Sequence, residues 1–273
     1  MARWRMNWLQ LGCVLCVLWA SGGAVSARAQ DQPTAELVAQ VLSGAEFGMT
    51  PAELLTQIKE RIRERYAGDL EAAPGLLERD EIYERARREF RRIKDTYTKF
   101  DGRVTGWNVS PIGPEFRHGS DESMLYFEEE QYRDYFFFIR GKLWKCYRQF
   151  EPEAFQRRPF EEIANGLVAK LGPAEVQRGP RSADARPQRF LRWEASGAQL
   201  EAIDGGAHLV LVATDRSTLV RLAELRRNAR SRKPREHAVI NGILMTETEL
   251  ETWRDNAGSA ASSPATRLDA KAH

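Results

Sequence analysis

Two periods alternate along this chain. Leu54, Leu55, Ile58 and Ile62 recur at helical spacing, with Lys59, Glu60, Arg61, Arg63 and Glu64 between them, which is the stripe of an amphipathic helix. Its start is tightly specified. Thr50 can cap, Pro51 fills the first helical position, and Glu53 stands three residues after the cap, with Met49 and Leu54 placed as a hydrophobic staple. After a loop at Pro74-Gly75, Ile82, Ala86, Phe90, Ile93 and Tyr97 predict a second helix, whose opposite face carries Arg85, Arg87, Arg88, Arg91, Arg92 and Lys94.

Beyond Gly102 the period falls to two. "RVTGWNVSP" (103–111) and "SMLYFEEE" (123–130) read as strands, and "RDYFFFIRGKLWKCYRQF" (133–150) as a hairpin turning at Arg140-Gly141. The irregular "PIGPEFRHGS" (111–120) is a candidate binding loop. A helix is then predicted after Pro159, with Phe160, Ile163, Ala164, Leu167, Val168 and Leu171 on one face and a stop at Gly172-Pro173. Strands at 174–179, 189–195, 198–204 and 207–215 follow. Leu219, Leu222 and Leu225 mark a helix over 217–229, which runs into the basic "RRNARSRKPR". Within 237–253 a short apolar run and a last helix are expected, with Thr246 and Glu249 as another capping box, and a disordered tail from residue 256.

The fold class is therefore α+β. Two consecutive helix-plus-antiparallel-sheet units are expected, with helices covering one sheet face. The predicted division is a leader at 1–29, a helical lead-in at 30–45, and a first unit at 46–150 with a helical insertion at 68–97. A second unit follows at 151–215, then C-terminal helices with a basic linker at 216–255, and the tail at 256–273. Aligning Pro51 with Pro159 also aligns Glu53 with Glu161 and Leu55 with Ile163, as a duplication would.

"GMTPAEL" ahead of an amphipathic helix, followed by the aromatic hairpin "YFFFIRGKLWKCY", resembles the small secreted α/β units of the outer-membrane assembly lipoprotein SmpA and of the tandem-repeat β-lactamase-inhibitor protein. The resemblance spans about residues 46–215. It implies helices covering one face of an antiparallel sheet, and two such units in tandem. The chain departs from it in lacking a lipid-attachment cysteine and in carrying the insertion at 68–97.

The N-terminus changes the charge balance. Arg3 and Arg5 precede an apolar run from Trp8 to Ala20, and Ala27 and Ala29 stand as an A-x-A exit, which reads as a secretory signal cleaved after Ala29. A retained span needs about 20 apolar residues; this run is shorter. Cleavage removes three arginines and no acids, leaving 38 basic against 39 acidic residues, so general polyanion binding loses its basis. Cys13 and Cys16 leave as well. Cys146 remains, without an internal partner, as a small buried hydrophobe.

Reactive constellations are scarce. There is no Gly-x-Ser-x-Gly elbow, phosphate-cradling loop or dinucleotide glycine pattern, and no cofactor is predicted. His118-x-x-Asp121-Glu122 is the nearest approach to a metal cluster, but it lacks a third donor; no metal is predicted. Glu128 and Glu130 alone of "FEEE" can share a strand face. The basic run lacks interleaved aromatics, so nucleic acid is not an expected partner. The chain is thus expected to be an exported, non-catalytic binding or scaffold protein of the cell envelope. It would contact an unidentified protein or envelope component through Trp107, Phe116, His118, Tyr132, Arg88, Arg91 and Arg92. The alternative is a secreted hydrolase with a site near His118, Asp121 and Glu128. A third reading is peripheral contact with an anionic membrane or cell-wall surface through Arg85–Lys94 or Arg226–Arg235.

Overall fold

A computed structural model of the chain describes residues 27–103, 105–180, 187–195 and 197–229. The apolar run of the leader, most of the basic run, the expected last helix and the tail lie outside the described residues. Among the described residues no helix is long and apolar enough to cross a membrane.

Three helices lead: α1 (Ala27–Leu42), α2 (Pro51–Ala72) and α3 (Leu76–Lys94). A two-residue strand β1 (Thr98–Lys99) precedes the meander β2 (Glu122–Glu128), β3 (Tyr132–Ile139) and β4 (Lys142–Phe150). Helix α4 (Phe160–Leu171) is followed by a second meander of β5 (Glu175–Pro180), β6 (Pro187–Ala195), β7 (Ala198–Asp204) and β8 (Leu209–Asp215). Helix α5 (Arg216–Ala229) comes last. The fold is α+β, as the periods predict.

The two meanders do not form separate sheets. Their final strands pair antiparallel, Lys145 opposite Thr214 and Gln149 opposite Val210, to give one sheet of order β1-β2-β3-β4-β8-β7-β6-β5. Separate α/β units are thereby corrected to two meanders sharing a seam. Helix α1 makes that junction. It packs on β4, β6, β7, β8 and α4, burying Val38, Val41 and Leu42 over the seam. The helix face of the sheet is lined by Leu125, Phe127, Phe136, Phe138, Leu143, Cys146, Leu200, Leu211 and Ala213. A fully buried phenylalanine such as Phe136 contributes roughly 1.5–3 kcal/mol.

The capping box at Thr50 forms as predicted. Thr50 N donates to Glu53 Oε2 at 2.7 Å, and Glu53 N donates to Thr50 Oγ1 at 3.2 Å. Gly48 adopts φ 89°, a conformation favouring glycine, so that its N–H reaches Leu143 O at 2.7 Å. Leu143 N returns a bond to Met49 O at 2.7 Å. "GMTPAEL" is therefore a clamp that starts α2 against the bulged beginning of β4. Arg140 and Gly141 both take positive φ, 52° and 71°, the pair of left-handed residues that a two-residue hairpin of matching twist needs.

The opposite face is covered by α5 and by Phe100, Trp107, Ile112 and Phe116 of the segment ahead of β2, around Met124, Phe137, Ile139, Trp144 and Val212. Here the sequence reading needs two corrections. The described residues of 103–111 form no strand: Asn108 Oδ1 accepts from Thr105 N at 3.1 Å, folding the backbone into a short 3₁₀ turn over Gly106–Val109. The 111–120 segment is not an open binding loop. Ile112 and Phe116 are buried, and Lys145 Nζ, itself buried, bonds Glu115 O at 2.7 Å and Glu115 Oε2 at 2.9 Å.

Candidate functional site

The sequence-predicted contact residues divide sharply by location. Phe116 is buried and stacks on Phe100 with ring centroids 3.6 Å apart, so it cannot meet a partner; it is core. Tyr132 is half-buried and points to the helix face, where the Arg148 guanidinium lies 4.1 Å from its ring centroid. Trp107 is half-buried, edge-on to Tyr126 and Tyr135 at 5.5 and 5.9 Å. His118 pins its loop. Its Nδ1 accepts from Gly102 N at 3.2 Å, its Nε2 lies 2.8 Å from Asn108 Nδ2, and its ring stands edge-on to Phe100 and Phe116. Arg88, Arg91 and Arg92 are exposed on α3.

The alternative trio does not assemble. His118 and Asp121 precede β2, whereas Glu128 ends it, six extended residues (about 20 Å) beyond Glu122. Glu128 is committed to Arg133 Nε at 2.8 Å and Tyr126 OH at 3.1 Å. The Arg133 bond, then that of Tyr126, hold its carboxyl below the usual range against slight burial. No group of three or more His, Cys, Asp or Glu able to hold a metal occurs among the described residues. Cys146 is fully buried, donates to Val41 O at 3.2 Å, and has its thiol pushed well up by burial.

What the fold does build is a polar groove of about 420 Å³ between α2, α3 and the β2–β3 turn. Arg65 and Tyr66 form the α2 side, Arg85, Arg88, Glu89 and Arg92 the α3 side, and Glu128, Glu129 and Glu130 the turn. Arg65 ties all three walls, with Nη1 on Glu89 at 2.5 Å and Nη2 on Glu129 at 2.7 Å. Burial pulls the Arg65 guanidinium down, but Glu129 and Glu89 outweigh it and raise it, so the cross-link stays charged. Tyr66 OH donates to the other Glu89 oxygen at 2.9 Å, and burial together with that carboxylate raises the phenol.

The remaining charges are less engaged. Arg85 reaches Asp69 only at 3.9 Å and lies 5.8 Å from the Tyr66 ring centroid. Arg88 and Arg92 are exposed without an ion pair among the described residues, and so is Glu130. Arg85, Arg88 and Arg92 follow i, i+3, i+7 spacing, so like charges crowd one flank of the helix, at a cost of a few tenths of a kcal/mol per pair. An anion seated between them would relieve that repulsion.

A second hollow, about 510 Å³, lies beside Phe47, Ala198 and Val220. Its polar groups are already engaged. Asp215 Oδ2 caps α5 through Thr218 N at 2.9 Å, and Arg216 pairs with Glu194.

Sequence reading anticipated the arginine face of α3 but passed over Arg65. Nothing in its neighbourhood marks Arg65 apart from other wet residues of α2; its role depends on a carboxylate 64 positions away. Comparison with family models, curated proteins and solved structures finds no match to the chain.

Proposed function

We propose that this chain is an exported, non-catalytic binding protein of the cell envelope, and that the groove beside α3 receives an acidic segment of a partner protein. The observation carrying the reading is the set of Arg85, Arg88 and Arg92, assembled on a braced wall: Arg85 reaches Asp69 only at 3.9 Å, and Arg88 and Arg92 form no close ion pair among the described residues, Arg92 acting on Glu128 only at longer range. Arginine forks suit carboxylates geometrically. A polypeptide in a groove fits better than a flat anionic membrane, because a chain can lay its carboxylates along the α3 side alone, whereas a headgroup layer would also press on the wall of Glu128, Glu129 and Glu130. Export rests on the leader motif at residues 1–29.

The test is affinity capture from an envelope extract on immobilised wild-type protein and on R88A/R92A. The reading expects a protein retained by wild type, lost from the double variant and released by salt. Equal retention on both surfaces, or turnover of a substrate by the purified chain, overturns it.

A further inference from the structure

Helix α3 also carries a charge order that its groove does not use. Residues 76–84 hold four acids and one arginine, whereas residues 85–94 hold six bases and one acid. Acids at a helix N-terminus and bases at its C-terminus favour the macrodipole, but that effect fades beyond the first and last turns. Glu84 and Arg88 stand in the middle turns, where the dipole gives no reason to segregate them.

Their placement on the helix is more informative. Ile82, Ala86, Phe90 and Ile93 face inward and are buried. At 100° per residue, Glu81, Glu84, Arg88 and Arg91 fall on the opposite, outward stripe, and all four are exposed. Glu84 turns to Arg87 at 3.0 Å, whereas Glu81, Arg88 and Arg91 have no ion-pair partner within the described residues. The i, i+4 pairs that intrahelical stabilisation would exploit, Glu81 with Arg85 and Glu84 with Arg88, are not made.

The geometry points to this stripe as a surface for a second copy of the same chain, with the two α3 helices antiparallel about a two-fold axis level with residue 86. In that arrangement Glu81 lies opposite the other copy's arginine at 91, and Glu84 opposite its arginine at 88. Symmetry repeats both, giving four ion pairs. A parallel arrangement would set Glu81 against itself and Arg88 against itself. Antiparallel pairing is thus the self-complementary one. Because the pairs are exposed and the stripe's apolar side chain, the exposed Leu77, lies at its N-terminal end rather than at its centre, the dimer is weak and salt-sensitive. It does not rest on the groove reading, but Arg88 serves both, so an acidic ligand in the groove and a second copy would compete for it.

Sedimentation equilibrium on the full chain tests this. Self-association is expected at low salt, with a dissociation constant rising about tenfold in high salt. E81R/E84R and R88E/R91E should each weaken it about tenfold, with unchanged far-UV circular dichroism. A mixture of the two variants should associate, and the fourfold swap E81R/E84R/R88E/R91E should return to within about threefold of wild type. A chain that stays monomeric at low salt, or a swap that does not restore association, overturns the inference. So does loss of association only when Arg65 or Arg85 is changed.

Discussion

The buried pair Asp134–Arg148 offers a sharp test of how the helix layer is held on the sheet. Asp134 is completely buried and Arg148 is 6 % exposed. The two form a fork, Arg148 Nε to Oδ1 and Nη2 to Oδ2, both at 2.6 Å. Ser43 Oγ adds a bond to Oδ2 at 3.2 Å, and Arg148 Nη1 donates to Gln40 O at 3.0 Å. One strand pair is thereby joined to the end of α1, and the carboxylate raises the guanidinium, keeping it charged against its burial. Asp134→Ala leaves that charge in the interior. Breaking a buried pair from one side costs about 3–5 kcal/mol. The lower end applies here, because Gln40 O, Ser43 and the Tyr132 ring still attend Arg148. About 3 kcal/mol corresponds to a fall of about 6–12 °C in Tm for a domain of this size. Urea unfolding followed by tryptophan fluorescence measures the loss. D134L/R148M, which removes both charges, should recover to within about 1 kcal/mol of wild type. A D134A loss under about 1 kcal/mol, or a double variant as unstable as the single one, refutes the reasoning.

Other outcomes follow from the same contacts. Burial raises the Glu122 carboxyl, against the fork from Arg226 and the N–H of Arg117. A carboxyl whose folded pKa lies above its unfolded value favours folding at low pH, and loses that contribution as pH climbs through the folded pKa. Tm of wild type minus that of E122Q should therefore fall as pH rises from about 4 towards neutrality; a difference that grows with pH would be contrary. Gly141 has open space around an added Cβ but φ of 71°, so Gly141→Ala should cost about 1–2 kcal/mol from backbone strain alone, read by thermal unfolding. The native chain should leave Cys146 unlabelled by a thiol reagent at neutral pH and release it only on unfolding; prompt labelling would contradict its burial.

Legibility from sequence tracked how local the cause was. The Thr50 capping box, the stop at Gly172 and the Arg140-Gly141 turn are decided by residues a few positions apart, and the structure has all three. The seam between β4 and β8 pairs residues more than 60 positions apart, and no period or turn residue announces it. Helix α1 carries Pro33 and a weak apolar stripe, so its place over the seam was hidden. At 103–111 alternation suggested a strand, but the Asn108 side chain competes for the backbone. The candidate site was half legible. The arginine face could be read from helical spacing, whereas the carboxylates that brace it come from a turn brought close only by the sheet.

In the proposed function, the arginines of the α3 groove, rather than overall charge, capture an acidic chain. Fluorescence anisotropy of a labelled oligoglutamate peptide, titrated with wild type, R88A/R92A and R91A at low salt, measures it directly. Saturable binding by wild type and R91A, with at least about a tenfold loss in R88A/R92A, is the predicted result. Equal affinity in all three, or no binding by wild type, would contradict it.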